Sequence, residues 1–513
     1  MLMKANYYLS SFFWSTVSKI LNAILGFVSI PIFLDVFGKA EYGIISIAMA
    51  CNAYMYVLDL GMNVGAVKYY SQWKSEGKFE LIERVTRTNI TFYLLISIIN
   101  IFLLFGLFKS GEYIFSVSYD LVPLLNSCFL ILAGFCVLNW LGAVFYQLLV
   151  ANELLSYAMK VQCLQVGLKF LLLFVIVRCH ISVITYFFLY SLIVALPVFP
   201  YAYKCMANSY LRSIVPAFYF SDFKKVLFYS ISIFALTILQ VTAVQSRPIV
   251  ISMFAENGEL MVADFRVVEL IPSFLIVLCG MFSSIFLPKT SSLVAKNDTK
   301  ELCSFASKWT LRTSILTNFV CVPFILCASD VIYAYIGSGY EYLSVWLSIW
   351  CMTVILQIHT TPGNAIILAY GRTKPLIVIT FLACFISIVL NISLLGQFGV
   401  GAAIISYLVY VIIIVSQYYF YYYKRVVHLP SMRMLKGFVF PTLLAFSIMF
   451  LCLLSEKVVP EIFTYSNRHE AIISCILKVG VWFVMYAMAL QFTGIVNIKD
   501  VIGYFPFEKK NRL

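Results

Sequence analysis

The sequence predicts an all-α membrane protein of about fourteen transmembrane helices, and three observations carry that prediction. Of the 513 residues, 62% are apolar and only 12% are charged, and the mean hydropathy is +0.95. A soluble domain carries roughly 25% charged residues, so this much apolar surface exceeds what a soluble core can hide. Apolar stretches recur along the whole chain, each near the ~20 residues that a spanning helix needs. These stretches do not alternate at period two, which excludes a membrane barrel. A soluble enzyme is excluded by the same composition.

Fourteen apolar runs lie near 12–34, 42–67, 89–108, 121–150, 159–177, 181–203, 226–253, 262–287, 310–329, 343–368, 375–395, 400–423, 437–455 and 470–495. The first continues past Pro31 without a small-residue cleavage site, so it reads as a spanning helix and not as a removable signal. Connections are short, and no soluble domain interrupts the series. With a cytoplasmic N-terminus and strict alternation, 26 of the 36 Lys and Arg fall on the inner side, 5 on the outer side and 5 inside runs. That asymmetry obeys the positive-inside rule and predicts both termini in the cytoplasm. It assigns the net charge of +13 to loops facing anionic lipid, with no nucleic-acid partner. Tyr418, Tyr419, Tyr421, Tyr422 and Tyr423, just before Lys424, are expected in an interfacial aromatic belt. The 14 cysteines form no CxxC or Cys/His cluster and read as small apolar side chains.

The chain also echoes itself. Gly61-Met62 recurs as Gly280-Met281, and Tyr203-Lys204 recurs as Tyr423-Lys424, at offsets of about 219 or 220 residues. The basic stretch from Lys68 to Arg87 has a counterpart from Lys289 to Arg312. Six runs separate the copies, which predicts a parallel repeat of the kind that transporters use to enclose a substrate. The expected organisation is an N-terminal lobe of six runs (residues 1–220), a C-terminal lobe of six more (221–436), and two added helices with a cytoplasmic tail (437–513).

Charges at bilayer depth are costly and mark function by default. The basic ones are Lys19, Lys169, Arg247, Arg266 and Lys478, and the acidic ones are Asp59, Asp264 and Glu269. This excess of positive charge favours an anion. Neighbouring polar residues recur at helical spacing. The stripes are Ser15, Lys19, Asn22, Gly26 and Ser29 in the first run, and Asn52, Tyr56, Asp59 and Asn63 in the second. Gln162, Gln165 and Lys169 mark the fifth; Thr237, Gln240 and Arg247 the seventh. Arg266, Glu269, Ser273, Gly280 and Ser284 mark the eighth; Thr353, Gln357, Thr360 and Asn364 the tenth. Six helices with one polar face each predict a shared wet cavity.

For a single Ser, Thr or Gly, packing and hydrogen bonding within the bundle is the preferred reading. For Lys19, Lys169 and Arg247 function is preferred. Arg247 precedes Pro248, where the helix loses a backbone donor and frees a carbonyl. Arg266 lies about a turn from the outer end and can snorkel or pair with Glu269. Lys478, outside the repeat, is expected to face a lipid headgroup. Asp59 and Glu269 have three open roles: partners of buried cations, proton carriers, or polar glue. His359 is of the residue type whose ordinary charge change lies nearest neutrality, although a lone membrane histidine is more often a hydrogen-bonding residue. No Walker A, HExxH or GxSxG motif is present.

Leu58-Asp59-Leu60-Gly61, Pro31-Ile32-Phe33-Leu34 followed by Phe37-Gly38, and Glu41-Tyr42-Gly43 resemble the Wzx-type polysaccharide flippases. These belong to the MOP superfamily with the MATE exporters and lipid II flippases. The resemblance implies two lobes alternating around a cationic cavity, without cofactor, metal or covalent chemistry. It implies an undecaprenyl-pyrophosphate-linked oligosaccharide of the O-antigen type as substrate, moved across the bacterial inner membrane for lipopolysaccharide biosynthesis. The expected partners are membrane lipids, a polysaccharide polymerase and a chain-length regulator. By this likeness Lys19, Lys169, Arg247 and Arg266 bind substrate, Asp59, Glu269 and His359 gate or couple to an ion gradient, and the last two helices form a groove for the lipid tail. Two alternatives are a cation-coupled exporter of small molecules and a membrane polymerase. The exporter calls for an acidic or aromatic pocket, and the polymerase for a large outer loop.

Overall fold

The computed structural model describes residues 2–280, 283–296, 298–371, 374–458 and 465–495, less the side chains of 2–9, 232–233, 235–237, 280, 283–285, 287–288, 295, 374 and 457–458. Among the described residues every regular element is helical. The helices are α1 (Leu2–Val36), α2 (Lys39–Met55), α3 (Met62–Ser75), α4 (Phe79–Ile114), α5 (Val122–Ala151), α6 (Leu155–Cys179), α7 (Val183–Ala195), α8 (Val198–Ala207), α9 (Phe220–Phe254), α10 (Gly258–Gly280), α11 (Ser283–Ala295), α12 (Thr299–Leu326), α13 (Ala328–Ile336), α14 (Ser344–Ile358), α15 (Thr361–Tyr370), α16 (Lys374–Phe398), α17 (Val400–Gln417), α18 (Ser431–Val458) and α19 (Arg468–Phe492). A π-helical stretch, Tyr418–Val426, extends α17.

Each of the fourteen apolar runs falls on a helix, but the count of fourteen spans is not reached. Eleven described helices are long and apolar enough to cross a bilayer, or twelve if α2 and α3, bent by 41°, count as one span. The seventh run falls short because the apolar part of α9 that is described covers only Ile238–Phe254. The eighth carries Glu259, Asp264, Arg266 and Glu269 within α10. Large apolar side chains cover much of the outside of this bundle: Phe381, Phe385, Phe440, Leu443, Phe450, Ile476 and Val484 are all more than half exposed. Such a surface is stable only against lipid, and the chain is a multi-pass membrane protein.

Two compact units divide the chain. The first comprises Met1–Val267 with Ile388–Ala403, and the second Val268–Ser387 with Ile404–Leu513. In the first, α4 packs along α5, α1 along α6, and α9 against α2, α3 and α4. The approach of α9 to α3 requires glycine. A Cβ on Gly65 would land on the Ser230 hydroxyl, and one on Gly61 would lie 2.7 Å from the Ser230 carbonyl oxygen. At the other end of α2, Gly43 backs onto the Glu259 carbonyl and Lys39 Nζ meets Asp264 at 2.7 Å. The Ser116 amide donates to the Ser252 carbonyl (2.7 Å), and the Gly258 amide donates back to the Ser116 carbonyl (2.8 Å).

The second unit corrects two expectations. Lys478 does not face lipid. It is 7% exposed, and its Nζ lies 2.8 Å from Asp330 of α13 and 3.3 Å from Glu456 of α18. The Ser474 hydroxyl donates to the same Asp330 carboxylate at 3.2 Å. A lysine ten residues into a membrane helix is too deep to snorkel cheaply, so it recruits two acids from neighbouring helices. The tyrosine run is likewise not a belt. Tyr418, Tyr422 and Tyr423 are buried; Tyr418 donates to Asn364 Oδ1 at 3.2 Å, and Tyr423 closes on Gly363 of α15. The wide π turn rotates these rings inward, which the apolar pattern does not encode. Of the residues singled out from sequence, Met281 and the tail beyond 495 lie outside the described residues, as do the side chains of Thr237, Gly280 and Ser284.

Removing one partner of a buried ion pair costs about 3–5 kcal/mol, whereas replacing the pair by apolar groups costs far less. Lys478→Met is therefore expected to lower the melting temperature of the purified protein sharply. The triple change Lys478→Met, Asp330→Leu and Glu456→Leu is expected to restore most of the loss. Equal melting temperatures for the single variant and the parent would contradict this assignment.

Candidate functional site

The second run does not form one helix. α2 ends at Met55, a 3-10 turn covers Tyr56–Asp59, and α3 restarts at Met62. Leu60 and Gly61 both have positive φ, 51° and 75°. That conformation costs a leucine about 1–2 kcal/mol, and such strain collects at functional sites. Broken backbone at membrane depth persists only where protein or a wet cavity satisfies it. Here both do so.

The protein side is a hydrogen-bonded network. The Tyr93 hydroxyl donates to Asp59 Oδ1, and the Asn63 amide donates to Asp59 Oδ2 at 3.2 Å. Gln147 Nε2 donates to the Tyr93 oxygen (2.8 Å) and to Asn63 Oδ1 (2.9 Å). Asn89 Nδ2 donates to Gln147 Oε1 at 2.8 Å. The Trp140 ring covers Tyr93 with centroids 5.5 Å apart. Tyr93, Gln147 and Asn89 are fully buried. The network thus ties the α2–α3 break to α4 and α5.

The cavity side has a volume of about 270 Å³, with Tyr56, Asn139, Tyr146, Gln162, Gln165 and Tyr201 among its lining. A water-sized space behind it, of about 10 Å³, is shared by Asn52, Tyr56 and Asn139. Pro197 interrupts the helix between α7 and α8 and lacks an N–H. Gln165 Nε2 donates to the nearby carbonyls of Ile193 (3.1 Å) and Val194 (3.0 Å). Asn139, half-buried on α5, has no protein hydrogen-bond partner among the described residues.

Lys169 lies one turn beyond Gln165 on the same face of α6. It is half-buried, and its Nζ lies 4.8 Å from the centre of the Tyr190 ring. Among the described residues no acid pairs with it. Lys19 sits on α1, which packs along α6, with the Ser18 hydroxyl 3.5 Å from Gln162 Oε1. Lys19 is exposed, as is Asn22 a turn on.

The remaining expected residues do not join this group. Arg247 is 3% exposed, with its Nε donating to the Ala243 carbonyl at 3.1 Å on its own helix. Arg266 and Glu269 are half-buried on α10. His359 belongs to the second unit, fully buried at the α14–α15 break. Its ring stacks on Phe438 with centroids 3.8 Å apart, and its Nε2 lies 3.1 Å from the Tyr419 hydroxyl. The sequence reading passed over Asn89, Tyr93, Ser97 and Asn100 of α4. They are all buried, and their spacing of 4, 4 and 3 was a signal of the kind used for the other helices. Asn139 and Gln147 of α5 share no such stripe, and only packing reveals them.

Stranding a buried donor or acceptor costs about 1–3 kcal/mol per group. Gln147→Leu strands Asn63, Tyr93 and Asn89 together. Its melting temperature is therefore expected well below that of Asn139→Leu, which breaks no protein hydrogen bond. The opposite order would show that the network does not hold this region.

Residues 8–294 match the profile of a family described as polysaccharide biosynthesis protein. A search of the curated proteins found no match. The lipid II flippase MurJ in its inward closed conformation superposes with a TM-score of 0.65 at 18% identity, covering 93% of this chain and 99% of that one. An inward-facing multidrug resistance MATE family transporter of the MOP superfamily gives 0.63 at 14% identity, covering 82% and 97%. A Vibrio cholerae MATE transporter gives 0.56 at 13%, covering 84% and 99%. At these identities the likeness shows a shared transporter fold, and the matched profile covers more than half of the chain: it belongs to the polysaccharide biosynthesis protein family.

Proposed function

We propose that this protein is a flippase for an undecaprenyl-pyrophosphate-linked oligosaccharide repeat unit of the O-antigen type. It acts without covalent chemistry, moving the unit from the inner to the outer leaflet of the bacterial inner membrane by alternating access of two lobes, 1–220 and 221–436, with both termini in the cytoplasm. The observation that carries this reading is Lys169. It is a half-buried cation one turn beyond an amide-lined cavity, and no acid pairs with it among the described residues. An unpaired cation at bilayer depth is costly unless an anion visits it. A diphosphate supplies that anion through charge-assisted hydrogen bonds. Neither the diphosphate nor the sugar crosses hydrocarbon unaided, whereas a polyprenyl tail can stay in lipid.

Lys19 extends the positive wall from α1. Arg247 and Arg266 join it when the bundle rearranges, and Asp59, Glu269 and His359 serve gating or coupling. The family description and the likeness to a lipid II flippase support this reading. A polymerase and a chain-length regulator are the partners that it calls for downstream.

A charge-assisted hydrogen bond contributes about 1.5–3 kcal/mol, so losing it slows transport by roughly ten- to a hundredfold. In a strain whose surface polysaccharide depends on this gene, Lys169→Ala is expected to abolish most of that polysaccharide while the protein still inserts. Lys169→Arg is expected to retain it. Normal surface polysaccharide with Lys169→Ala would remove Lys169 from the substrate path.

A further inference from the structure

The cavity beside Lys169 has a chemistry of its own. None of its lining residues is charged. Its polar groups are amides and phenols, which both donate and accept hydrogen bonds. Asn139 offers a whole amide that has no protein partner among the described residues. Gln165 spends its amino group on the Ile193 and Val194 carbonyls, and its carbonyl has no protein partner among the described residues. Tyr146 and Tyr201 lie side by side with ring centroids 6.1 Å apart, and Tyr56 leans on Trp140 at 5.4 Å. These aromatic faces suit the C–H groups of a ring, and the amides suit hydroxyl and acetamido groups. A carboxylate placed here would lack a cation and be desolvated at high cost.

Gln165 and Lys169 are four residues apart on α6, so their Cβ atoms lie about 6 Å from each other. On α7, Tyr190 and Val194 have the same spacing. The cation–aromatic pair therefore sits one turn from the amide cavity. This distance suits a sugar attached directly to a diphosphate.

We infer that the cavity walled by Tyr56, Asn139, Tyr146, Gln165 and Tyr201 is a subsite for one neutral hexopyranose, best an N-acetylhexosamine, namely the sugar joined to the diphosphate held at Lys169. This inference rests on the flippase reading and deepens it. The amides select the first sugar of the unit, and later sugars extend beyond the cavity. Gly142 forms part of the same wall, and a Cβ there would meet only ordinary contacts with Val198. A larger side chain at that position fills the cavity without removing a polar group.

The test uses the purified full-length protein in lipid nanodiscs and three probes: undecaprenyl diphosphate, the same lipid carrying one N-acetylhexosamine, and the same lipid carrying one hexuronic acid. The parent is expected to bind the N-acetylhexosamine lipid about tenfold more tightly than the bare lipid. The hexuronic acid lipid is expected to bind no better than the bare one. Asn139→Leu and, independently, Gly142→Leu are expected to erase the preference while leaving affinity for the bare lipid unchanged, which also shows that each variant is folded. Lys169→Ala is expected to weaken all three probes by a similar factor. A parent that binds bare and glycosylated lipids equally overturns the subsite while the flippase reading stands. So does a preference that survives in whichever of the two leucine variants folds. A parent that binds none of the lipids overturns the flippase reading itself.

Discussion

A polar group inside a bilayer has no water to turn to, and that constraint organises this molecule. Each must meet a protein partner or face a wet cavity. Asp59 stands at the junction of the two solutions. One side of it is held by Tyr93, itself bridged through Gln147 to Asn63 and Asn89. The other side belongs to the 3-10 turn whose Tyr56 lines the cavity. If the network failed, the broken backbone at Leu60 and Gly61 would lose its support, and with it the wall that Tyr56 and Asn63 contribute. The strain at Leu60 is tolerable because α4, α5 and α9 hold its neighbours Asp59, Asn63 and Gly61 in place.

The second unit meets the same constraint with different chemistry. Around Lys478 two acids and a serine hydroxyl converge from α13, α18 and α19. This fastens the last two helices to that unit through a buried charge. At the α14–α15 break His359 is stacked against Phe438 and bonded to Tyr419, while Asn364 accepts from Tyr418. Both broken helices, α2–α3 and α14–α15, carry a polar stripe through the break. In both, aromatic hydroxyls or amides from neighbouring helices bond to the side chains of that stripe. The two sites differ in what surrounds them: amides and an open cavity in one case, stacked rings in the other.

Much of the candidate site was legible from spacing. Asn52, Tyr56, Asp59 and Asn63 share a face, as do Gln162, Gln165 and Lys169, and the structure places both stripes on one cavity or its border. Periodicity fails in two ways. It assumes one continuous helix, so it missed the break at Leu60-Gly61 and the π turn that buries Tyr422 and Tyr423. It also treats every polar face as equivalent. In the seventh run Arg247 is buried while Gln240 on the same face is exposed, and in the first run Lys19 and Asn22 are exposed. Charge density along a helix does not say which neighbour covers it.

The sequence by itself determined the solvent. Its apolar runs and sparse charge commit the chain to spanning helices, because an apolar stretch of that length lowers its free energy in lipid whatever its neighbours are. It also determined which faces are polar, since the 3.6-residue repeat is local. Only the tertiary structure decided which polar faces meet. Gln147 and Asn63, 84 residues apart, and Lys478 and Asp330, on helices that no short motif connects, find each other only when whole helices pack. Hydrogen bonds and ion pairs act over a few ångströms, and packing alone brings distant parts of the chain within that range.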